Sequence, residues 1–501
     1  MSTPTMSYRG AVRAPDFAGY EWVTGTPRSI SDLRGQLVIL DFWTFCCINC
    51  LHMLPVLHRL EQEFASRLTV IGVEAAKFTA EQVPANVAKA IERYGITHPV
   101  INDPERALWD EYTANSWPTL MFIDPAGKVW GRLAGEIDYD SLRQIVSDAL
   151  DSYVLDGTLV PVTPEGPIEL ADPGTALRFP GKVLVDTPRD RLIVSDTGHH
   201  RILILSRDGQ VSRVIGSGVE GRIDGSLSDA SFFRPEGVAV SPDGQTIYVA
   251  DRANHLLRRI DLTEGTVATV AGTGERGGYE LDPPALGRDT ALASPWDLAW
   301  DGDRLLIAMA GTHQIWAFHP ATGLVEIVAG TGAESIHDGP LKEATFSQPS
   351  GLVVTEGAAW SLDSESSAVR RIDLSGGRVR RIVGRGLFDF GDIGGTGDTV
   401  RLQHPLGLAG TEEEDRPILF IADSYNHRIK RLDALDRTVM TVAGSGEAAL
   451  RDGDLATASF WEPSGLAVDG SRIYVADTNN HALRLIDTEA GTVTTIDVRL
   501  P

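Results

Sequence analysis

The chain has 501 residues, of which 42% are hydrophobic and 23% are charged, and this length predicts two or more domains, or one domain and a repeat array. Its formal net charge of −24 disfavours DNA and RNA as partners, because an extended polyanion would be repelled at long range. The three cysteines are too few for an extracellular disulfide framework, and the sequence shows neither a signal-peptide h-region nor an 18-residue apolar run. We therefore expect a cytoplasmic protein that binds neither nucleic acid nor a membrane.

The first 155 residues alternate between strand and helix patterns. Short apolar runs predict buried strands, and apolar residues spaced three or four apart predict helices. The predicted elements are a strand at 36–43, a helix at 51–64, a strand at 68–75, a helix at 81–95, a helix at 103–112, a hairpin at 119–133 and a helix at 139–150. This order is typical of an α/β domain, here residues 1–155, with a sheet covered on both faces. A segment rich in Pro, Gly and Asp then predicts a linker at 156–175.

Residues 176–501 form a sequence repeat. Each unit begins with a proline followed by a short strand pattern, and these prolines lie 54 to 60 residues apart. The prolines are Pro180, Pro235, Pro295, Pro349, Pro405 and Pro463. Four short strands per unit, repeated six times, predict an all-β, six-bladed β-propeller.

A second signature recurs in these units, and at Asn254-His255-Leu256 it resembles the NHL repeat, which is named after this triplet. In most units an Asp precedes the His by four positions, as in Asp251 and His255. A functional interpretation makes the His a metal ligand or catalytic base. In a structural interpretation, a hydrogen bond between the Asp and the His holds the turn between the second and third strands. Because a feature present in most blades serves the blade, we predict the structural role.

All three cysteines lie in the stretch DFWTFCCINC, where residues 47–50 form a C-x-x-C between a predicted strand and a predicted helix. Free backbone N–H groups and the helix dipole at such a junction stabilise an anion, so we expect a lowered pKa for Cys47. Cys50, one turn deeper, is expected to be the shielded, resolving thiol. Zinc sites use the same spacing, but there is no second cysteine pair, and His52 and His58 are not a usual zinc arrangement. We expect neither a metal nor a cofactor.

The surrounding sequence resembles the active-site segment of thioredoxin-like proteins over about residues 14–150. Asp41, six residues before Cys47, matches an Asp that in this family is buried behind the second cysteine and handles its proton. A carboxyl on an apolar strand is expected to have a raised pKa, which suits that role. Pro118 matches the cis-proline of the loop that lies against the C-x-x-C and binds extended peptide. The resemblance thus implies catalytic roles for Cys47, Cys50, Asp41 and Pro118.

Several positions depart from the thioredoxin pattern. Ile-Asn replaces the usual Gly-Pro between the cysteines, and Cys46 stands where a Trp is common. Trp117 replaces a small or β-branched residue before the cis-proline. Glu74, at the end of the strand predicted at 68–75, matches a glutamate of some thioredoxin-like reductases. Cys46, Trp117 and Glu74 are therefore auxiliary site candidates, and Cys46 is compatible with either a small buried filler or a regulatory role.

The Cys-Cys-Ile-Asn-Cys motif ahead of an NHL propeller resembles the NHL repeat-containing protein 2 family over nearly the whole chain. This resemblance implies a cytosolic protein and no defined substrate. One hypothesis is a thiol–disulfide oxidoreductase that acts on a protein or peptide disulfide, with the propeller face binding the protein partner. The alternative is a non-catalytic interaction scaffold with a degenerate thioredoxin-like domain, in which Ile48 and Trp117 obstruct a substrate.

Overall fold

The computed structural model describes residues 7–161, 168, 173–355 and 357–501. The chain divides into two compact units, residues 1–172 and 173–501. Within the expected linker, residues 162–167 and 169–172 lie outside the described ones. No helix in the described ranges is long and apolar enough to cross a membrane.

The first unit is a thioredoxin-like α/β domain built on a seven-stranded sheet with the order β1-β7-β6-β3-β4-β5-β2. Strands β3, β4 and β5 run parallel, and β6 is antiparallel to β3. The strands are β1 Val12–Arg13, β2 Glu21–Thr24, β3 Leu37–Trp43, β4 Leu68–Ala75, β5 Val100–Asp103, β6 Thr119–Ile123 and β7 Lys128–Ala134. The helices are α1 Ile48–Glu63, α2 Pro84–Tyr94, α3 Ala107–Glu111 and α4 Tyr139–Leu155, with a 3₁₀ turn at Thr79–Gln82.

The alternating side chains of β3 divide the domain core in two. Leu37 and Ile39 pack with residues of α1 and α4, whereas Val38, Leu40 and Phe42 pack with residues of α3. Since side chains two apart on a strand share a face, Asp41 points to the α1 side. The strand thus sets a carboxyl in the apolar layer beneath α1.

The predicted elements of this domain all form, with shifted ends, but three strands were missed. β1, β2 and β5 have only two to four residues, too few for a detectable period. Asp103 was expected to begin a helix, yet it ends β5. Its carboxylate still accepts hydrogen bonds from the backbone N–H groups of Leu108 (3.2 Å) and Trp109 (2.8 Å), so it caps α3 from the strand.

The second unit is the predicted six-bladed propeller. Each blade draws four antiparallel strands from one continuous segment, and blades two to six add a two-residue edge strand. The four-stranded blades are, in order, Val183–Asp186, Arg191–Asp196, Arg201–Ser206 and Val211–Ile215; Pro235–Val240, Thr246–Asp251, Leu256–Asp261 and Thr266–Ala271; Pro295–Asp301, Arg304–Met309, Gln314–His319 and Leu324–Ala329; Pro349–Thr355, Ala358–Asp363, Ala368–Asp373 and Arg378–Val383; Gly407–Glu413, Arg416–Asp423, Arg428–Asp433 and Thr438–Ala443; Pro463–Asp469, Arg472–Asp477, Ala482–Asp487 and Thr492–Ile496. The edge strands are Gly225–Ser226, Ala285–Leu286, Gly339–Pro340, Gly395–Thr396 and Gly453–Asp454.

The last residues of the chain join the last blade to the first. The backbone N–H of Val211 donates to the carbonyl of Arg499, and the N–H of Arg499 donates to the carbonyl of Gly209, each at 2.9 Å. The chain terminus thereby extends the outer edge of the first blade. The sequence contains an alternative candidate for this closing strand at 167–172, but apart from residue 168 that segment lies outside the described residues.

The repeated Asp and His are structural, but the predicted hydrogen bond between them is wrong. In the first blade Asp196 pairs with Arg201 and His199. In four other blades the Asp pairs with a buried cation seven positions later; in the second blade, Arg258 Nη1 lies 2.9 Å from Asp251 Oδ2. The cation also binds an Asp of the preceding loop, here Asp224 at 2.9 Å. The same triads recur as Asp363–Arg370–Asp338, Asp423–Lys430–Asp392 and Asp477–Arg484–Asp452.

The repeated His joins neighbouring blades. Its Nδ1 accepts a hydrogen bond from a backbone N–H of the next blade, at 3.0 to 3.2 Å, and Ser367 Oγ does so in the fourth blade. The pairs are His200–Arg234, His255–Ser294, His313–Gln348, Ser367–His404, His427–Glu462 and His481–Phe179. Because the sixth pair returns to the first blade, these bonds close a ring.

Candidate active site

Helix α1 begins directly after Cys47, which is its N-cap residue. The carbonyl of Cys47 accepts the first helical hydrogen bond from Leu51 N–H at 3.1 Å, and its own N–H donates to Thr44 O at 3.4 Å. Cys50 lies in the first turn. The side-chain exposures rank the thiols, because Cys47 is 7% exposed whereas Cys46 is 1% and Cys50 0% exposed. All three are thiols and none is in a disulfide.

Cys50 is a buried thiol that is hydrogen-bonded to Cys47 and is influenced by the charge of Asp41. Burial raises its pKa well above the ordinary value, and a hydrogen bond to Cys47 and the charges at Cys47 and Asp41 raise it further. A backbone hydrogen bond involving Thr44 acts in the opposite direction. Cys50 is therefore held as the protonated thiol, and it needs a base before it can attack a disulfide.

Asp41 lies on the α1 side of β3 and is fully buried. Burial raises its pKa to about 7; the charge of His98 lowers it and the charge of Glu61 raises it. Among the described residues, neither carboxyl oxygen of Asp41 has a hydrogen-bond partner. A carboxyl with a pKa near neutrality can both accept and return a proton at physiological pH.

The Trp117–Pro118 peptide bond is cis, as the thioredoxin resemblance implied. The next residue, Thr119, pairs with Phe42 in the sheet, so Pro118 lies beside the end of β3 from which the cysteine loop departs. The indole of Trp117 is fixed by two contacts. It stacks on Trp109 with ring centroids 4.3 Å apart, and its Nε1 donates to the carbonyl of Ala75 at 2.9 Å.

A buried residue that the sequence analysis did not identify, Glu81, holds the loop before the C-x-x-C. Its Oε1 accepts from the Cys46 backbone N–H at 3.0 Å and from the Thr44 hydroxyl at 2.5 Å. Its Oε2 accepts from the N–H groups of Lys77 and Phe78 at 2.8 and 3.0 Å. The sequence showed only an acidic residue at a helix start, and no Ser or Thr N-cap marked it as a buried acceptor.

Glu74 is fully buried on β4, between Trp43 of β3 and Asn102 of β5 in the sheet register. Burial raises its pKa well above the ordinary value, and the charges of Glu81 and Asp103 add to the effect. No described group bonds to its carboxyl oxygens. Glu74 is therefore a buried carboxyl whose charged form is disfavoured, on the same sheet face as Asp41.

Comparisons with known proteins agree with both units. The AhpC/TSA family model matches residues 11–131, and the NHL repeat model matches residues 232–260 and 460–484. NHL repeat-containing protein 2 of Bos taurus is 42% identical over 523 residues, which cover 97% of this chain and 71% of that protein. The chain belongs to the NHL repeat-containing protein 2 family. The family expected from the cysteine motif and the repeats is thus confirmed.

Two other relatives extend the comparison. Protein SUPPRESSOR OF QUENCHING 1, chloroplastic, of Arabidopsis thaliana is 40% identical over 505 residues, 97% of this chain and 48% of that protein. Thiol-disulfide oxidoreductase ResA of Geobacillus thermodenitrificans is 29% identical over 131 residues, 26% of this chain and 72% of that protein. The first domain of this NHL repeat-containing protein 2 family member therefore has homologues among thiol–disulfide oxidoreductases.

Proposed function

We propose that the first domain is a thiol–disulfide oxidoreductase and that the propeller binds its protein partner. The observation that carries the proposal is the arrangement of Cys47, Cys50 and Asp41. The more exposed thiol is the N-cap of α1, its hydrogen-bonded neighbour is buried, and a carboxyl with a pKa near 7 lies behind them. Buried carboxyls whose pKa is shifted by desolvation and by specific neighbouring charges are concentrated at functional sites, which supports this role for Asp41.

The proposed reaction has two steps. The Cys47 thiolate attacks one sulfur of a protein or peptide disulfide, that disulfide breaks, and the departing thiolate takes a proton. Cys50 then gives its proton to the Asp41 carboxylate and attacks Cys47 Sγ, which releases the second substrate sulfur as a thiolate that takes a proton from water. The substrate disulfide is reduced to two thiols, and Cys47 and Cys50 are oxidised to a disulfide. Cys46, Trp117 and Glu74 remain auxiliary candidates, with Pro118 lining the peptide site.

A trapping experiment with full-length, pre-reduced protein tests the proposal. Cys50→Ser should accumulate a mixed disulfide between Cys47 and an added disulfide protein such as insulin, because no resolving thiol remains. Cys47→Ser should form none, and Cys46→Ser should reduce insulin as wild type does. Equal reduction by wild type and Cys47→Ser would instead favour the non-catalytic scaffold.

The location of the protein is part of the same proposal. The sequence favours the cytoplasm, whereas the name of the Arabidopsis relative places that protein in the chloroplast. Fractionation of cells that express the full-length chain, with the two thiols trapped by alkylation, would show both the compartment and the redox state in which the pair is kept.

A further inference from the structure

A histidine–glutamate pair connects the buried layer beneath α1 to solvent. His98 precedes β5 and is 4% exposed. Its Nδ1 lies 3.2 Å from Oε2 of Glu61 on α1, and the Glu61 side chain is 23% exposed. One end of the pair is therefore buried and the other reaches water.

The buried end of the pair is directed at the sheet beside Asp41. A Cβ placed on Gly72 would lie 3.2 Å from His98 Nε2 and 3.1 Å from Trp43 Nε1. Gly72 is the register partner of Asp41 in the β3–β4 ladder. Neither of those two nitrogens has a hydrogen-bond partner among the described residues, and the same holds for both Asp41 oxygens. Unpartnered polar atoms from three residues thus border the space over a glycine.

The charges around this space are few. Helix α1 contributes Cys50 and Glu61, and β3 contributes Asp41. Strand β4 places Gly72 opposite Asp41 and, two residues further on the same face, the buried carboxyl of Glu74; β6 places the apolar Leu120 opposite Asp41. Burial lowers the pKa of His98, but the charges of Glu61 and Asp41 and the hydrogen bond to Glu61 outweigh it, so the pKa is raised. Asp41 has a pKa of about 7. A carboxyl whose pKa is raised to about 7 can give a proton to a neighbouring imidazole whose pKa is also raised, and can take it back.

We propose that His98 and Glu61 carry the proton of Asp41 between the buried carboxyl and solvent. This inference rests on the proposed function, because a fully buried carboxyl that takes a proton from Cys50 in each turnover must also release it. The protonated Asp41 gives its proton to His98 Nε2, and His98 Nδ1–H passes a proton to Glu61, which releases it to water. Only protons move in this sequence. The reverse order brings a proton from water back to the Asp41 carboxylate. His98 and Glu61 act through Asp41 and are positioning residues.

The test separates the two thiol steps in the full-length protein. An aromatic disulfide that releases a coloured thiolate gives one equivalent when Cys47 attacks and a second when Cys50 resolves the mixed disulfide. In a stopped-flow experiment the first phase depends on reagent concentration and the second does not. His98→Gln should slow the second phase by about tenfold and change the first by less than about twofold. Glu61→Gln should also slow only the second phase.

The pH profile of the second phase supplies a readout that a merely structural role would not move. Since the charge of His98 lowers the pKa of Asp41, His98→Gln should move the inflection to higher pH. Since the charge of Glu61 raises that pKa, Glu61→Gln should move it to lower pH. His58→Gln is the matched control. His58 lies on α1, as Glu61 does, and contacts Thr97 next to His98, but its side chain is exposed. It should leave both phases unchanged.

Slower second phases in both variants, together with opposite shifts of the inflection, support the relay. Unchanged second-phase rates in both variants would overturn it, whether or not the inflection moves, and would leave the oxidoreductase proposal intact. Absence of a second phase in wild type would overturn the proposed function itself. If His98→Gln does not fold, Glu61→Gln decides alone, because its partly exposed side chain is replaced by one of the same shape.

Discussion

The imidazole Nδ1 of His427 accepts a hydrogen bond from the backbone N–H of Glu462 at 3.1 Å and so joins the fifth blade to the sixth. An imidazole can accept at Nδ1 only while that nitrogen is unprotonated. Burial lowers the pKa of His427 to about 4, with a further contribution from Arg428, whereas a backbone hydrogen bond involving Ser424 raises it. The junction between blades is therefore sensitive to acid.

Replacing His427 by Ser should make the stability of the propeller less dependent on pH. Ser is the matched choice, because Ser367 accepts the equivalent hydrogen bond in the fourth blade. The pKa of His427 is lower in the folded state, so its contribution is present above pH 6.5 and is lost as pH falls towards 4. Between pH 7 and 5 the stability difference between wild type and variant should shrink by about 1–2 kcal/mol. Urea unfolding at several pH values measures it, and the exposed His337→Ser should follow wild type.

The buried cation of the four triads is expected to tolerate a change of type but not a loss of charge. Arg370 binds Asp363 and Asp338, and the fifth blade makes the same contacts with Lys430. Arg370→Lys should therefore cost little. Arg370→Met leaves two carboxylates without their cation and should lower the free energy of unfolding by about 3–5 kcal/mol. Equal unfolding midpoints for the two variants would contradict the triad as a stabilising unit.

The sequence predicted the propeller because its evidence is repeated six times, so an error in one unit does not change the fold. The same repetition could show that Asp251 and His255 are structural, but not which groups they bind. Their partners are Arg258, seven positions away on the next strand, and Ser294 of the following blade. Such pairings depend on strand register and blade packing, which a local pattern does not contain.

The residues of the candidate site likewise fall into those that the sequence could identify and those that only the structure identifies. Asp41 and the cysteines could be found because they lie within ten residues of one another in a strand-to-helix junction. Glu81 and His98 reach the site through folding, from 35 residues beyond Cys46 and 37 beyond Glu61. Neither is marked by a local motif, so only their burial and contacts identify them.

Asp41→Asn should stabilise the protein at alkaline pH. The folded pKa of Asp41 is raised to about 7 from a model-peptide value of 3.8. Its protonated form contributes stability that is present below the unfolded pKa and is lost as pH rises through 7. Between pH 5.5 and 8 the variant should gain about 2 kcal/mol relative to wild type, as measured by chemical unfolding. A stability difference between variant and wild type that stays the same from pH 5.5 to pH 8 would contradict the raised pKa.

Asp124→Asn is the control for this effect. Asp124 is also buried, but its carboxylate accepts hydrogen bonds from the N–H groups of Gly10, Ala126 and Lys128 at 2.8 to 3.0 Å. An amide cannot accept as many, so this variant should lose about 1–3 kcal/mol at pH 8. The opposite signs at two buried aspartates would show that hydrogen bonding, and not burial alone, decides the cost of a buried carboxylate.

Glu81→Gln should loosen the loop that leads into the C-x-x-C. The carboxylate receives four donors, three of them backbone N–H groups, and an amide would direct its own N–H at two of them. We expect a loss of about 2–3 kcal/mol in stability. We also expect faster alkylation of Cys46, which is only 1% exposed in the wild type. Thr44→Val removes the hydroxyl donor at Oε1 and the 3.4 Å contact of that hydroxyl with Cys46 Sγ, but it keeps the three backbone donors to Glu81 and should lower stability less. Alkylation of Cys46 at the wild-type rate in Glu81→Gln would mean that Glu81 does not control access to this thiol.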